Sequence, residues 1–367
     1  MRFLRTILYP ISLLYGIILF IRNKFYDWRI FSSHEFDVPV IVVGNLATGG
    51  TGKTPHIEYL IRLLKEKCKV ATLSRGYGRN SSGFVAATPT STAAVVGDEP
   101  RQFKNKFPDI SVAVDNKRVR GIKKLMEREP HPDVILLDDA FQHRPVVAGV
   151  SILLTEYDHL FYNDTILPTG NLREFRSGYE RADMIVITKT PEILPPLQKK
   201  RIIKEINIHA HQKIYFSYIK YGELVPLYRG MNTTISKEHC FEKEYTLFLM
   251  TGIANAASLE EYLRSKLKNV IRLNFSDHHK YSMTELMHVK ERFDEIPDKN
   301  KIILTTEKDA MRLESPGYVE LLKELPVYYL PIEIDFHDKD KEDFDRQILD
   351  YVKGNSIKQM SEKFSKS

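Results

Sequence analysis

Residues 39–54, PVIVVGNLATGGTGKT, pass from a short apolar run rich in β-branched residues into a glycine-rich loop that ends in Lys53 and Thr54. From Thr54 the apolar residues take helical spacing, with Ile57, Leu60, Ile61 and Leu64 on one face. Pro55 falls near the first helical position, where its missing N–H is no loss. A strand, a glycine loop and a helix in this order demand a parallel α/β sheet, and they place backbone N–H groups where an anion can bind. The strict phosphate-loop pattern has a glycine six residues before the lysine, and this chain has Ala47 there. Phosphate is held by main-chain amides, however, and glycine is needed only where φ is positive or where a Cβ would block the ligand. Gly49, Gly50, Thr51, Gly52, Lys53 and Thr54 are therefore the expected nucleotide-binding residues. Lys53 would reach the β- and γ-phosphates of ATP, and the Thr54 hydroxyl would bind Mg²⁺. The plainer alternative is an ordinary glycine-rich turn, which does not explain the matching flanks.

Further apolar runs at 69–74, 109–114, 132–139, 150–156 and 182–189 alternate with helical patterns such as 117–129. The expected class is α/β: a P-loop NTPase-like parallel sheet sandwiched by helices, with a second, smaller α/β domain. PDVILLDDAFQHR ends a strand on Asp138 and Asp139. A carboxylate at the carboxyl end of a strand beside the P-loop strand is placed to meet Mg²⁺, and adjacent like charges call for a cation. SRGYGR (74–79), GDEP (97–100), DNKRVRG (115–121) and PTGNLREF (168–175) put charged residues in loops or at helix starts; alone, each reads as solvated surface.

The chain has 367 residues, 43% of them hydrophobic, and a net charge of +6. That excess suits an anionic partner or an acidic membrane surface and falls short of the dense basic stripe of a nucleic-acid binder. Cys68 and Cys240 form no spacing pattern, which argues against a disulfide framework or zinc site and for a reducing cytosol. Residues 7–21 carry no charge. As a helix they would reach roughly 22 Å, short of the ~30 Å hydrocarbon core. Arg2 and Arg5 precede them; Arg22, Lys24 and Arg29 follow, among Tyr9, Tyr15, Tyr26 and Trp28. A peripheral or monotopic membrane anchor over 1–31 fits best, ahead of a signal peptide, a spanning helix or a helix buried in a core or oligomer interface. The expected divisions are 1–31 anchor, 32–210 kinase domain, 211–240 a linker with a β-hairpin around YGE, 241–353 a second α/β domain, and 354–367 a frayed basic tail.

Taken together and in order, VGNLATGGTGKTP, SRGYG, GDEP, LDDAFQHR, LRE and SDHHKY resemble the tetraacyldisaccharide 4′-kinase family of Gram-negative bacteria, from residue 1 to about 312. The resemblance implies ATP-dependent phosphorylation of the 4′-hydroxyl of a tetraacylated glucosamine disaccharide 1-phosphate, giving lipid IVA, by a monomer at the cytoplasmic face of the inner membrane. It implies that Lys53 and Thr54 bind ATP and Mg²⁺, and that Asp138 and Asp139 are active-site acids, at least one partnering the metal. Asp98 is similar to the family's catalytic base. His278 resembles the histidine paired with that base, with His279 as the second choice. Because Asp98 and His278 fall in different halves, their pairing would require closure of one domain on the other.

The acceptor brings its own phosphate. Arg75, Arg118 and Arg144 are candidates to hold it, since arginine grips phosphate bidentately. Gln142 and His143 are candidates for the sugar hydroxyls, and Glu174 is a candidate for substrate binding. Lys308 and Asp309 in TTEKDAMRL read as a salt-bridged helix start or as a brace of the nucleotide or domain interface. Two rivals remain. A membrane-associated P-loop ATPase switch would carry a lysine where Thr48 stands; a small-molecule kinase would use residues 1–31 for oligomerisation.

Overall fold

The structure is a computed structural model that describes residues 2–228, 235–253, 256–276, 279–314 and 316–365. His278 therefore lies outside the described residues. The chain divides into two compact units: Met1–Ile219 with Ile334–Ser367, and Lys220–Glu333.

In the first unit the elements run α1 (Arg2–Asp27), β1 (Val40–Asn45), α2 (Lys53–Leu64), β2 (Val70–Ser74), β3 (Val85–Ala86), α3 (Ala93–Val96), α4 (Asp98–Lys106), β4 (Ser111–Val114), α5 (Arg118–Met126), β5 (Val134–Asp138), β6 (Val150–Glu156), β7 (Met184–Thr188), α6 (Pro196–Ile206) and β8 (Lys213–Tyr221). The second unit follows with β9 (Val225–Pro226), α7 (Lys237–Glu242), β10 (Thr246–Thr251), α8 (Ala257–Lys266), β11 (Val270–Asn274), α9 (Met283–Glu295), β12 (Lys301–Thr306), α10 (Glu307–Leu313), α11 (Pro316–Leu322) and β13 (Val327–Leu330). β14 (Ile332–Phe336) and α12 (Asp340–Ser365) complete the chain.

The first sheet has the order β14-β8-β7-β6-β1-β5-β2-β4-β3. β1 lies parallel between β5 and β6, with Val43 opposite Asp138 and Ile152. Both faces are covered. Val40 and Val42 belong to one apolar cluster, with Leu137 and Leu153, and Ile41 and Val43 belong to the other, with Ile57, Ile61 and Leu136. That two-sided burial is why these strands read as continuous apolar runs rather than alternating ones. The chain lays β2, β4 and β5 on one side of β1 and then crosses to place β6 on the other, so the crevice at the strands' carboxyl ends opens beside the phosphate loop. The second sheet, β11-β10-β12-β13-β9, is parallel apart from its short edge strand β9.

The hairpin expected over 213–228 does not form. β8 pairs with β7 in the first sheet, whereas β9 pairs with β13 in the second. The ribbon joining the units consists instead of β8 and β14, which neighbour each other in the sheet order. An alternating strand pairs equally well with a near or a distant partner, and here the buried residues Tyr215 and Phe216 favour the large sheet. Residues 334–353, expected in the second domain, return to the first unit: Phe336, Phe344, Ile348 and Val352 pack with Ile57, Tyr59 and Ile61. The tail expected to fray from 354 continues α12 to Ser365.

Candidate active site

The phosphate loop occupies the turn between β1 and α2. Gly49 and Gly52 have φ of 112° and 87°, where only glycine is unstrained, and a Cβ at Gly49 or Gly50 would meet nothing within 4 Å. Open space over these amides is what an incoming phosphate requires. Ala47 instead forms an antiparallel bridge with Leu172. It is flanked by Thr48 N–H donating to Asn171 O at 2.8 Å and Arg173 N–H donating to Leu46 O at 2.7 Å. Position 47 is thus a β-paired residue, and alanine satisfies it.

Three braces fix the far side of the loop. Asn45 Nδ2 donates to Ala47 O at 2.5 Å, and Thr188 Oγ1 donates to Thr51 O at 2.9 Å. His56 Nδ1 lies 2.7 Å from Gly52 O, and its Nε2 lies 3.1 Å from Ser217 Oγ. A carbonyl only accepts, so Nδ1 carries the proton; burial pushes this imidazole down to about 4 and keeps it neutral.

Lys53 Nζ lies 3.3 Å from Asn45 Oδ1 and 3.7 Å from Asp139 Oδ1. Arg173 donates to that same Asp139 oxygen at 2.8 Å. Burial opposes ionisation of Asp139, but Lys53, Arg173 and Arg118 outweigh it and hold the carboxyl below the usual carboxylate range. Asp138 behaves oppositely. Burial, and then the charges of Glu99 and Asp139, push it up to about 7 against the pull of Lys53 and Arg118. Its Oδ2 accepts from Ser74 Oγ at 3.3 Å, while its buried Oδ1 has no hydrogen-bond partner. An orphaned carboxylate oxygen with a raised pKa, close to the loop lysine, is a donor that fits a hard cation such as Mg²⁺.

The GDEP turn is built by close packing of glycines. Gly97 has φ of 95°, and a Cβ there would stand 3.2 Å from Tyr77 O and 3.3 Å from Gly76 Cα. The SRGYG loop thus abuts the turn that starts α4 at Asp98, and Glu99 is near enough to raise Asp138. The sequence puts Glu99 beside Asp98 in the GDEP turn but gives it no role; the structure brings its charge to bear on Asp138.

Arg118 is buried at the start of α5, donating to Asp138 O at 3.0 Å and to Asp115 O at 2.6 Å. Burial lowers it to about 10. His143 is driven down to about 4 by burial and by Arg118, Arg22 and Arg75, so these three arginines share one electropositive corner. Arg22 comes from α1 and was read from sequence only as a flanking charge. Gln142 Nε2 donates to Asn45 O at 2.8 Å and to Glu174 Oε1 at 3.1 Å. Glu174, 3% exposed, also accepts from Asn23 of α1 and from Arg181, each at 2.7 Å, so it clasps α1 to the site's rim. Arg144 pairs with Asp27 at 2.8 Å and lies over the Tyr26 ring. In the second unit, Asp309 is fully buried, accepting from Gly252 N–H at 2.9 Å and from Arg312 at 2.7 Å. His279 has its ring nitrogens 3.3 Å from Ser276 Oγ and 3.0 Å from Glu285 Oε1.

Known proteins resemble this chain in sequence and fold. The profile of the family described as tetraacyldisaccharide-1-P 4′-kinase (LpxK) matches residues 4–353. A tetraacyldisaccharide 4′-kinase from Bacteroides thetaiotaomicron is 45% identical over 95% of this chain and 93% of its own. One from Flavobacterium psychrophilum is 46% identical over 97% and 99%. The crystal structure of LpxK from Aquifex aeolicus in complex with ATP superposes with a TM-score of 0.72, at 27% identity, covering 95% of this chain and 99% of that one. The chain belongs to the tetraacyldisaccharide 4′-kinase family, enzymes that phosphorylate a lipid A precursor at its 4′ position.

Proposed function

We propose that this chain transfers the γ-phosphate of ATP to the 4′-hydroxyl of a tetraacylated glucosamine disaccharide 1-phosphate, with Asp98 as the general base and His278 assisting it. The observation that carries the reading is the meeting of Lys53, Asp139 and the orphaned Asp138 oxygen at the carboxyl ends of β1 and β5. The amides of Gly49–Thr54 and Lys53 bind the ATP tail. Thr54 and Asp138 hold Mg²⁺, which when bound supplies positive charge to the phosphates. Asp98, in the first turn of α4, accepts the sugar hydroxyl's proton late in transfer. His279 already has a partner for each ring nitrogen, which favours His278 as the base's helper. Arg22, Arg75 and Arg118 around His143 supply the charge to hold the acceptor's 1-phosphate.

The substrate is reached from the cytoplasmic face of the membrane. Ile11, Leu14 and Ile18 on α1, and Trp28 and Ile30 just beyond it, are each more than half exposed, and among the described residues no helix is long and apolar enough to cross a bilayer. An exposed apolar stripe flanked by Arg22 and Lys24 suits a helix lying in the interface. The test supplies detergent-dispersed lipid disaccharide 1-phosphate, ATP and Mg²⁺, and follows labelled phosphate by mass. Phosphorylated lipid is expected; ATP hydrolysis without it, or transfer only to small soluble alcohols, would overturn the reading.

A further inference from the structure

The mechanism makes no use of one of the best-buried carboxylates in the first unit. Glu58 is 1% exposed and sits four residues beyond Thr54, one turn into α2. Gln102 is 6% exposed and sits four residues beyond Asp98, one turn into α4. Gln102 Nε2 donates to Glu58 Oε1 at 2.7 Å. Lys106 Nζ donates to Glu58 Oε2 at 2.8 Å, and Arg62 lies 3.7 Å from the same oxygen. We propose that the Glu58–Gln102 contact is a spacer that fixes the phosphate loop against the Asp98 turn, making both side chains positioning residues for phosphate transfer.

Cohesion alone would not select this contact. Its neighbours along the two helices, Ile57, Leu60, Ile61 and Phe103, are all at or near zero exposure. A buried ion pair there is typically no more stable than well-packed apolar side chains. Short, directional bonds do what apolar contact cannot: they fix the register and separation of two helices rather than only holding them together. Each helix is rigid over the single turn between its tied residue and its functional one. A shift at the tie therefore moves Thr54 relative to Asp98 by a similar amount. Phosphate transfer needs nucleophile, phosphorus and leaving oxygen in line, so such a shift affects turnover before it affects nucleotide binding. The Glu58 carboxylate accepts from Gln102 and Lys106, not from the amides that would bind ATP.

This inference rests on Asp98 as the base, and the experiment separates the two. Full-length Gln102→Leu, Gln102→Glu and the swap Glu58→Gln/Gln102→Glu are assayed with lipid acceptor and ATP. In the swap, the amide on α2 donates to a carboxylate on α4, with Lys106 one turn further along it. Gln102→Leu and Gln102→Glu are expected to lose about ten- to a hundredfold in kcat with little change in KM for ATP, and the swap is expected to recover most of that loss. Unimpaired kcat in Gln102→Leu would overturn the spacer. So would a parallel loss of kcat, ATP affinity and melting temperature with no recovery in the swap, the pattern of a merely structural contact. Asp98→Asn is run alongside. Wild-type turnover there removes the base assignment and the spacer with it, whereas an inactive Asp98→Asn beside a fully active Gln102→Leu removes the spacer alone.

Discussion

Arg173 holds Asp139 at 2.8 Å through the same carboxylate oxygen that faces Lys53 at 3.7 Å. Without nucleotide, Lys53 and Arg173 thus share one anion. Replacing Arg173 with Met leaves Asp139 to Lys53, and ATP must then draw the lysine away from a less contested partner. KM for ATP should rise about fivefold, the equivalent of ~1 kcal/mol for a partly exposed pair. Steady-state kinetics check this; an unchanged KM would mean that the arginine does not modulate Lys53.

The raised Asp138 gives the metal-free protein a pH signature. Its folded value is about 7, against about 3.9 for an unfolded aspartate. Below both values the carboxyl is protonated in either state and costs nothing. As pH rises from 4 to 7 the unfolded chain ionises first, so stability falls, and above 7 the full penalty stands, up to about 4 kcal/mol. Asp138→Asn removes the charge and should raise the melting temperature of Mg²⁺-free protein at pH 8 by several degrees, with an effect about a quarter as large at pH 4.5. A shift of equal size at both pH values would contradict the assignment.

Gly97, at φ 95° and crowded by Tyr77 O, aligns the turn before Asp98. Gly97→Ala should cost about 1–3 kcal/mol through backbone strain and lower kcat as well, since the base sits on the next residue. Denaturant unfolding and turnover of the variant measure the two effects separately.

The apolar stripe of α1 predicts membrane attachment by partition. Leu14, 61% exposed, and Ile18, 58% exposed, can be made Glu without disturbing a packed core. Each contributes about 1.5–3 kcal/mol if buried in lipid, so Leu14→Glu/Ile18→Glu should cut binding to anionic vesicles at least tenfold and leave the melting temperature near that of the parent. Vesicle flotation reads the first, and unchanged binding would point to another attachment surface.

Much of the first unit was legible in the residues. β1, β2 and β4–β7 fall within about two residues of the apolar runs, because strands covered on both faces must be continuously apolar. The loop, the Asp138–Asp139 pair and the GDEP turn were legible because their chemistry is local. What remained hidden depends on long-range pairing. Nothing in KIYFSYIKY says that its partner is β7 rather than the strand three residues on, and nothing in 332–353 says that β14 and α12 return to the first unit. The bracing of Ala47 by Leu172, of His56 by Ser217, and of Glu58 by Gln102 joins segments 44 to 161 residues apart, so periodicity gives no hint of it. The reading of Ala47 as tolerable rested on backbone amides; the structure adds the antiparallel bridge that makes it so.

The central claim is that this loop, with alanine in the leading position, binds the phosphates of ATP beside a cation held at Asp138. Titration calorimetry of the full-length protein with a non-hydrolysable ATP analogue, with and without Mg²⁺, addresses it directly, using Lys53→Met as the comparison. The account predicts saturable, Mg²⁺-enhanced binding that weakens at least tenfold in Lys53→Met. Folded wild-type protein that takes up no analogue, or binds it equally well without Lys53 and without Mg²⁺, would contradict it.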